Sequence, residues 1–393
     1  RGGLMAPRLS PAEALERALA ERRVLVACGA GGGGKTTTAA ALAVRAARSG
    51  RRVLVCTIDP SRRLATSLGL NQLSGKPRPI DLGRLSPPSA RGGALWAMVL
   101  DVKSTFDALV ARYTPDAAAR ERILGNRLYR HVSAALAGSH EYMAMEKLLE
   151  LGADERWDLL VLDTPPTRHA LDLLEAPDRL LAFLDTSVLR WFLRPYFVAG
   201  RLTLKVATRT GAVAFRLADR FLGLQFLQDL SEFFLAFESM YDGFKERAAR
   251  VHALLRDPSS GFVMVAGPSA LALEEALYFH RRLTEKRMPF VAFVVNRVHT
   301  DPAREVRSRR RGRAAVSPEL AARLAETLRE QQVLARVERR AVARLEVDTR
   351  ERPVLVPELE QDVHDLRGLA EFGDLVFSGS RGRTRPARAA AGR

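Results

Sequence analysis

Val24-Leu25-Val26-Ala27-Cys28-Gly29-Ala30-Gly31-Gly32-Gly33-Gly34-Lys35-Thr36-Thr37 joins an apolar run, a glycine-rich loop and the start of a helix without a break. Its first four residues are a short, unbroken apolar run closed by glycine, the pattern of a buried strand. Its end runs on into Thr38-Ala39-Ala40-Ala41-Leu42-Ala43, a strong helix former. Between the two stands Gly-x-x-x-x-Gly-Lys-Thr, supplied by Gly29, Gly34, Lys35 and Thr36. Glycines permit the backbone angles that turn successive N–H groups inward around a phosphate, and the lysine reaches the β- and γ-phosphates. Thr36 offers a hydroxyl to Mg²⁺, and the helix it opens points the positive end of its dipole at the same anion. Strand, glycine loop and helix in that order predict an ATP-binding P-loop, with Gly31, Gly32, Gly33 and Thr37 as further contacts.

Similar apolar runs recur at 53–58, 95–100, 159–162, 262–266 and 291–295. They are near-continuous rather than alternating, as strands are when helices cover both faces of a largely parallel sheet. Helical patterns separate them, so the class is α/β. Residues 103–151 and 176–257 carry no strand signal and read as helical. The expected architecture is a P-loop core at 1–102, 152–175 and 259–377. A helical insertion at 103–151, a helical subdomain at 176–258 and a basic, disordered tail at 378–393 are expected around it. Between 189 and 244 large apolar residues such as Trp191, Phe192, Phe215 and Phe221 accumulate and read as packing. Arg201, Lys205 and Arg209 form a basic face there that reads as solvated.

The chain has 393 residues, 47% of them hydrophobic, with charges throughout. No run approaches the ~20 apolar residues of a membrane span, so none is expected. The formal charge of +17 is concentrated in the arginines of 307–313 and in the tail. These segments read as exposed and of low complexity, so nucleic acid is not the favoured partner. Cys28 and Cys56 are the two cysteines. They form neither a Cys-x-x-Cys pair nor a Cys/His cluster, so no zinc site is evident. No secretory leader is evident either, and the expected location is the cytoplasm, with a peripheral place at the membrane as an option.

Three later segments matter: Thr57-Ile58-Asp59-Pro60-Ser61, Asp163-Thr164-Pro165-Pro166-Thr167-Arg168-His169 and Val294-Val295-Asn296-Arg297. Alone, Asp59 reads equally as a turn aspartate, and Asn296 as a cap. With the glycine loop, and in this order, the segments resemble the arsenical pump-driving ATPase family, which includes the targeting ATPases for tail-anchored membrane proteins. The resemblance implies an ATP-hydrolysing enzyme in which Asp59 orients the attacking water, with Lys35 and Asp163 as catalytic partners. It implies Mg²⁺ on Thr36 and on Asp163, the latter directly or through water, and adenine against Asn296. It also implies a homodimer, or a heterodimer with a related ATPase, that couples nucleotide state to a protein or membrane-associated client. Two departures stand out. The family's signature lysine, which crosses the dimer to the partner's nucleotide, is here Ala30. Turnover is then slow alone, or the lysine comes from a different partner chain, or Arg62 or Arg63 substitutes for it. The clustered cysteines of the metalloid pumps are absent, and soft arsenite wants several thiolates together, so arsenite is not an expected ligand. Two alternatives stay open: a nucleotide-bound regulatory subunit of a heterodimer with weak hydrolysis, and a polyanion-binding protein using the arginine-rich segments.

Overall fold

In the computed structural model, residues 9–59, 62–83, 85, 92–114, 116–126, 139–164, 241–301 and 317–378 are described. The six apolar runs form β1 (Val24–Cys28), β2 (Arg52–Thr57), β4 (Ala94–Val99), β5 (Leu159–Asp163), β6 (Ser260–Ala266) and β7 (Phe290–Val298). Two short strands complete the sheet, β3 (Arg78–Ile80) and β8 (Val354–Pro357). The order is β3-β4-β2-β5-β1-β6-β7-β8, parallel throughout except for the β3–β4 pair. The sequence reading contained neither edge strand. Each is three or four residues long and contains a proline, which a sheet tolerates at its edge because the missing N–H then faces no partner.

The helices are α1 (Pro11–Glu21), α2 (Lys35–Arg48), α3 (Arg63–Ser67), α4 (Val102–Tyr113), α5 (Ala117–Gly125) and α6 (Ser139–Gly152). After β5 come α7 (Tyr241–Arg256), α8 (Ala270–Glu285), α9 (Pro318–Thr349) and α10 (Leu366–Ser378). Local chemistry starts several of them. Ser10 and Glu13 form a reciprocal capping box on α1, with Pro11 in its first turn. Asp101 and Ser317 cap α4 and α9. The alanine-rich α2 is buried along almost its whole length. Its small side chains bring it close to the sheet and leave room for Phe372 of α10, which is buried in the same core. Truncating such a phenylalanine costs about 3–5 kcal/mol.

The chain divides into two compact units. One, drawn from Arg1–Val99, Leu151–Leu171 and Leu254–Arg393, holds the sheet. The other is drawn from Leu100–Glu150 and Asp172–Ala253, and its described residues are predominantly helical. Within it, Glu146 and Arg247 form a buried ion pair between α6 and α7. The aromatic-rich stretch up to 240, the basic face at Arg201, Lys205 and Arg209, the arginines at 307–313 and the tail from 379 lie outside the described residues. No helix among the described residues is long and apolar enough to cross a membrane.

Candidate functional site

Strand register assembles the site. Parallel pairing sets Asp163 at the end of β5 beside Ala27 of β1 and beside Thr57 of β2, so the loop leaving β1 emerges next to both neighbours' C-terminal ends. Open parallel sheets bind ligands at this rim. Gly29, Gly32 and Gly34 have φ values of 143°, 77° and 89°, which L side chains rarely adopt. A Cβ on Gly29 would also run into the Val265 carbonyl of β6, and one on Gly34 into the side-chain amide of Asn296. The loop therefore lies flat against its neighbours. Lys35 is buried, and its Nζ arches back to donate to the Ala30 carbonyl at 2.8 Å. Gly34 caps α2 without any side-chain hydrogen bond, which leaves the first-turn amides without a side-chain acceptor and suited to an anion.

Asp163 is fully buried. Its Oδ2 accepts a hydrogen bond from Thr57 Oγ1 at 2.9 Å, whereas Oδ1 has no hydrogen-bond partner among the described residues. Burial pushes this carboxyl up to about 6. The Thr36 and Thr57 hydroxyls and the Lys35 ammonium oppose the rise, and the charge of Asp59 adds to it. Desolvation likewise pulls Lys35 down, opposed chiefly by the charge of Asp163. A buried acceptor left unmade costs roughly 1–3 kcal/mol. An unused carboxylate oxygen, a neighbouring threonine hydroxyl and a lysine at the mouth of a glycine cradle are a donor set that fits a divalent cation with a polyphosphate.

Asp59 is tied into the same group, since its backbone N–H donates to Thr57 Oγ1 at 3.2 Å. The Thr57 hydroxyl thus links the two acidic residues, donating to the Asp163 carboxylate and accepting from the Asp59 backbone N–H. Sequence reasoning quoted Thr57 but assigned it no role; its signal is a polar residue ending an otherwise apolar strand two places before Asp59. Asn296 also reaches the site, with its Nδ2 donating to the Gly33 carbonyl at 3.2 Å. This ties it to the loop backbone, a support absent from the sequence reading. Lys35, Thr36, Asp59, Asp163 and Asn296 therefore converge on one loop. Arg62 and Arg63 are exposed where α3 begins, close enough for Arg63 to act electrostatically on Lys35. Pro60, Ser61 and 165–169 lie outside the described residues. Cys28 and Cys56 are buried, form no disulfide and lie on strands separated by β5.

The sequence profile of the anion-transporting ATPase family matches residues 22–338. The chain is similar to ATPase GET3C of Arabidopsis thaliana, 29% identical over 295 residues that cover 71% of this chain and 67% of that protein. It is also similar to ATPase GET3B of the same plant, at 24% identity over 71% of this chain and 64% of that one. ATPase ASNA1 homolog 1 of Paramecium tetraurelia is 26% identical over 69% of this chain and 73% of its own length. The chain thus spans about two thirds of the length of the two plant relatives.

Proposed function

Because the chain belongs to the anion-transporting ATPase family, we propose that it is an ATP-driven switch. It binds ATP on the loop from Gly29 to Thr37 and hydrolyses it with Lys35, Asp59 and Asp163. The observation that carries this reading is Asp163, fully buried, with one oxygen held by Thr57 and the other unused. The backbone of Gly29 and Gly31 to Gly34, with the first amides of α2, binds the phosphates. Lys35 exchanges the neutral Ala30 carbonyl for the β- and γ-phosphate oxygens, a stronger, charge-assisted contact. Mg²⁺, when bound, neutralises charge on those oxygens, and Thr36 and Asp163 are the residues that would hold it. Asp59, whose backbone is fixed on Thr57, orients the attacking water by accepting its hydrogen bond. Asn296 contacts adenine through the face it does not use on Gly33. Because Thr57 touches both carboxylate residues, Thr57→Val should slow turnover roughly tenfold or more and destabilise the fold by about 1–3 kcal/mol. Steady-state kinetics and urea unfolding of the purified variant check this.

The unit drawn from Leu100–Glu150 and Asp172–Ala253 serves in this reading as the inserted helical subdomain that transmits nucleotide state to a protein or membrane-associated client. The active form is a homodimer or a heterodimer with a related ATPase. Ala30 supports a second reading, a nucleotide-bound partner subunit whose neighbour supplies the missing lysine. Turnover of the isolated chain, alone and as Ala30→Lys, is the test. A cation positioned on developing phosphate charge contributes several kcal/mol, so the variant should turn over at least about tenfold faster. Unchanged turnover would show that Ala30 does not limit catalysis, and failure to bind ATP at all would overturn the proposal. Arsenite has no part in it, since buried Cys28 and Cys56 offer no thiolate cluster.

A further inference from the structure

The strand that brings Asn296 to the loop is irregular at that point. β7 pairs in register with β8 at Val294↔Val354 and Val295↔Leu355, then resumes at Val298↔Pro357, so β7 carries one extra residue, a bulge. Arg297, inside it, has φ 63°, a left-handed conformation that costs an L residue about 1–2 kcal/mol. Bulges re-aim side chains, and here the neighbour of Arg297 is Asn296, turned onto Gly33. Such a strained turn persists when the surrounding structure holds it.

Two residues beyond Arg297 stands His299. Its backbone N–H donates to Glu338 Oε2 of α9 at 2.8 Å, and its Nδ1 lies 2.7 Å from the other oxygen of the same carboxylate. Its Nε2 lies 3.0 Å from Glu358 Oε2, just beyond β8. The Glu358 backbone N–H donates to the Val298 carbonyl at 3.2 Å. Glu338 is buried, and Glu358 is about half exposed. Beside them, Arg339 of α9 pairs with Asp301 at 3.2 Å. A neutral imidazole has one N–H, and its other nitrogen is an acceptor. Two ring nitrogens on two carboxylates are both satisfied only by the imidazolium. After deprotonation one nitrogen faces an oxygen lone pair to lone pair, and the more exposed Glu358 is the partner that lets go.

We infer that His299 is a positioning residue for the nucleotide site: protonated, it clamps the bulge of β7 between α9 and the segment after β8 and so holds Asn296 against the phosphate loop. The inference rests on the proposed ATP site. It goes beyond that reading by making loop support depend on a proton outside the reacting groups.

The test is binding of a fluorescent ATP analogue with Mg²⁺ at about pH 6 and about pH 8.5. Wild type, His299→Gln and Glu358→Gln are compared. The ligand and Asp163 titrate alike in all three, so ratios between proteins isolate the clamp. Wild type should bind about tenfold more tightly than His299→Gln at the lower pH and equally at the higher, the loss expected for one charge-assisted hydrogen bond. Glu358→Gln should stay tight at both, because its amide can accept from the imidazolium or donate to the neutral ring. Hydrogen exchange of the peptide covering 294–301, corrected for intrinsic rates and measured without nucleotide, should show protection falling at high pH in wild type alone. A pH-independent ratio, with exchange likewise flat, overturns the clamp. Exchange that follows the prediction without any analogue binding keeps the clamp, and removes the ATP site it was said to serve.

Discussion

Asp163→Asn is expected to make the protein more stable while abolishing its ATPase activity. The carboxyl is fully buried, and burial lifts it from 3.8 to about 6. A carboxyl raised on folding binds its proton more tightly in the native state, so stability falls as pH rises from the unfolded to the folded value. Below 3.8 both states are protonated and the group contributes nothing; above about 6 the destabilisation is complete. The gap of about two units corresponds to roughly 3 kcal/mol. An asparagine keeps the oxygen that accepts from Thr57 and carries no charge to desolvate. The variant should therefore gain roughly 3 kcal/mol at neutral pH, and the gain should vanish as pH falls below about 4. Urea unfolding across pH measures it, and a gain that persists in acid would rule out charge burial as its source. The same substitution removes the oxygen proposed for the cation, so turnover should fall by about two orders of magnitude or more. ATP with Mg²⁺ should raise the midpoint of wild type much more than that of the variant.

Lys35→Met is expected to lose both nucleotide binding and turnover while leaving the fold in place. Methionine occupies similar volume without an ammonium, so the loss of a desolvated charge offsets part of the lost bond to the Ala30 carbonyl. Activity should drop by about two to three orders of magnitude, because the lysine is the one buried cation in the described part of the loop. A second consequence distinguishes the variant from a merely misfolded one. The Lys35 charge lowers the Asp163 carboxyl, so its removal should push that group above about 6. The acid-side change in stability should then extend to higher pH than in wild type. An unmoved transition would mean that the two groups do not sense each other as the structure places them, whatever the activity loss.

These two residues also separate what is local from what is not. Lys35 was legible because its neighbours declare it: glycines ahead of it at positions needing φ between 77° and 143°, an alanine-rich helix behind it. The strands were legible for a similar reason, since burial on both faces leaves a continuous apolar run. The edges β3 and β8 were not, because a short edge strand buries too little to write a pattern. The end of β7 was underread for another reason. Past Val295 the polar Asn296 and Arg297 break the apolar run, while backbone pairing resumes at Val298.

Asp163 shows the limit on the site. Its type and its place at a strand end mark it as a carboxylate in the right region, but its fully buried environment and its unused oxygen depend on Thr57. That residue lies 106 positions away in the chain. The Asn296–Gly33 bond spans 263 positions, and the His299–Glu338 contact spans 39. Local sequence was enough for the α/β class, the strand, glycine-rich loop and helix in that order, and the residues available for chemistry. Each of these follows from backbone preferences and apolar spacing within a few residues. It took the folded chain to link Thr57 to both acidic positions, to set Asn296 under the loop it was expected to serve from the adenine side, and to put His299 between two carboxylates. Those relations depend on register between strands and on packing between helices distant in the chain, where desolvation and hydrogen-bond partners are set by neighbours that local spacing does not encode.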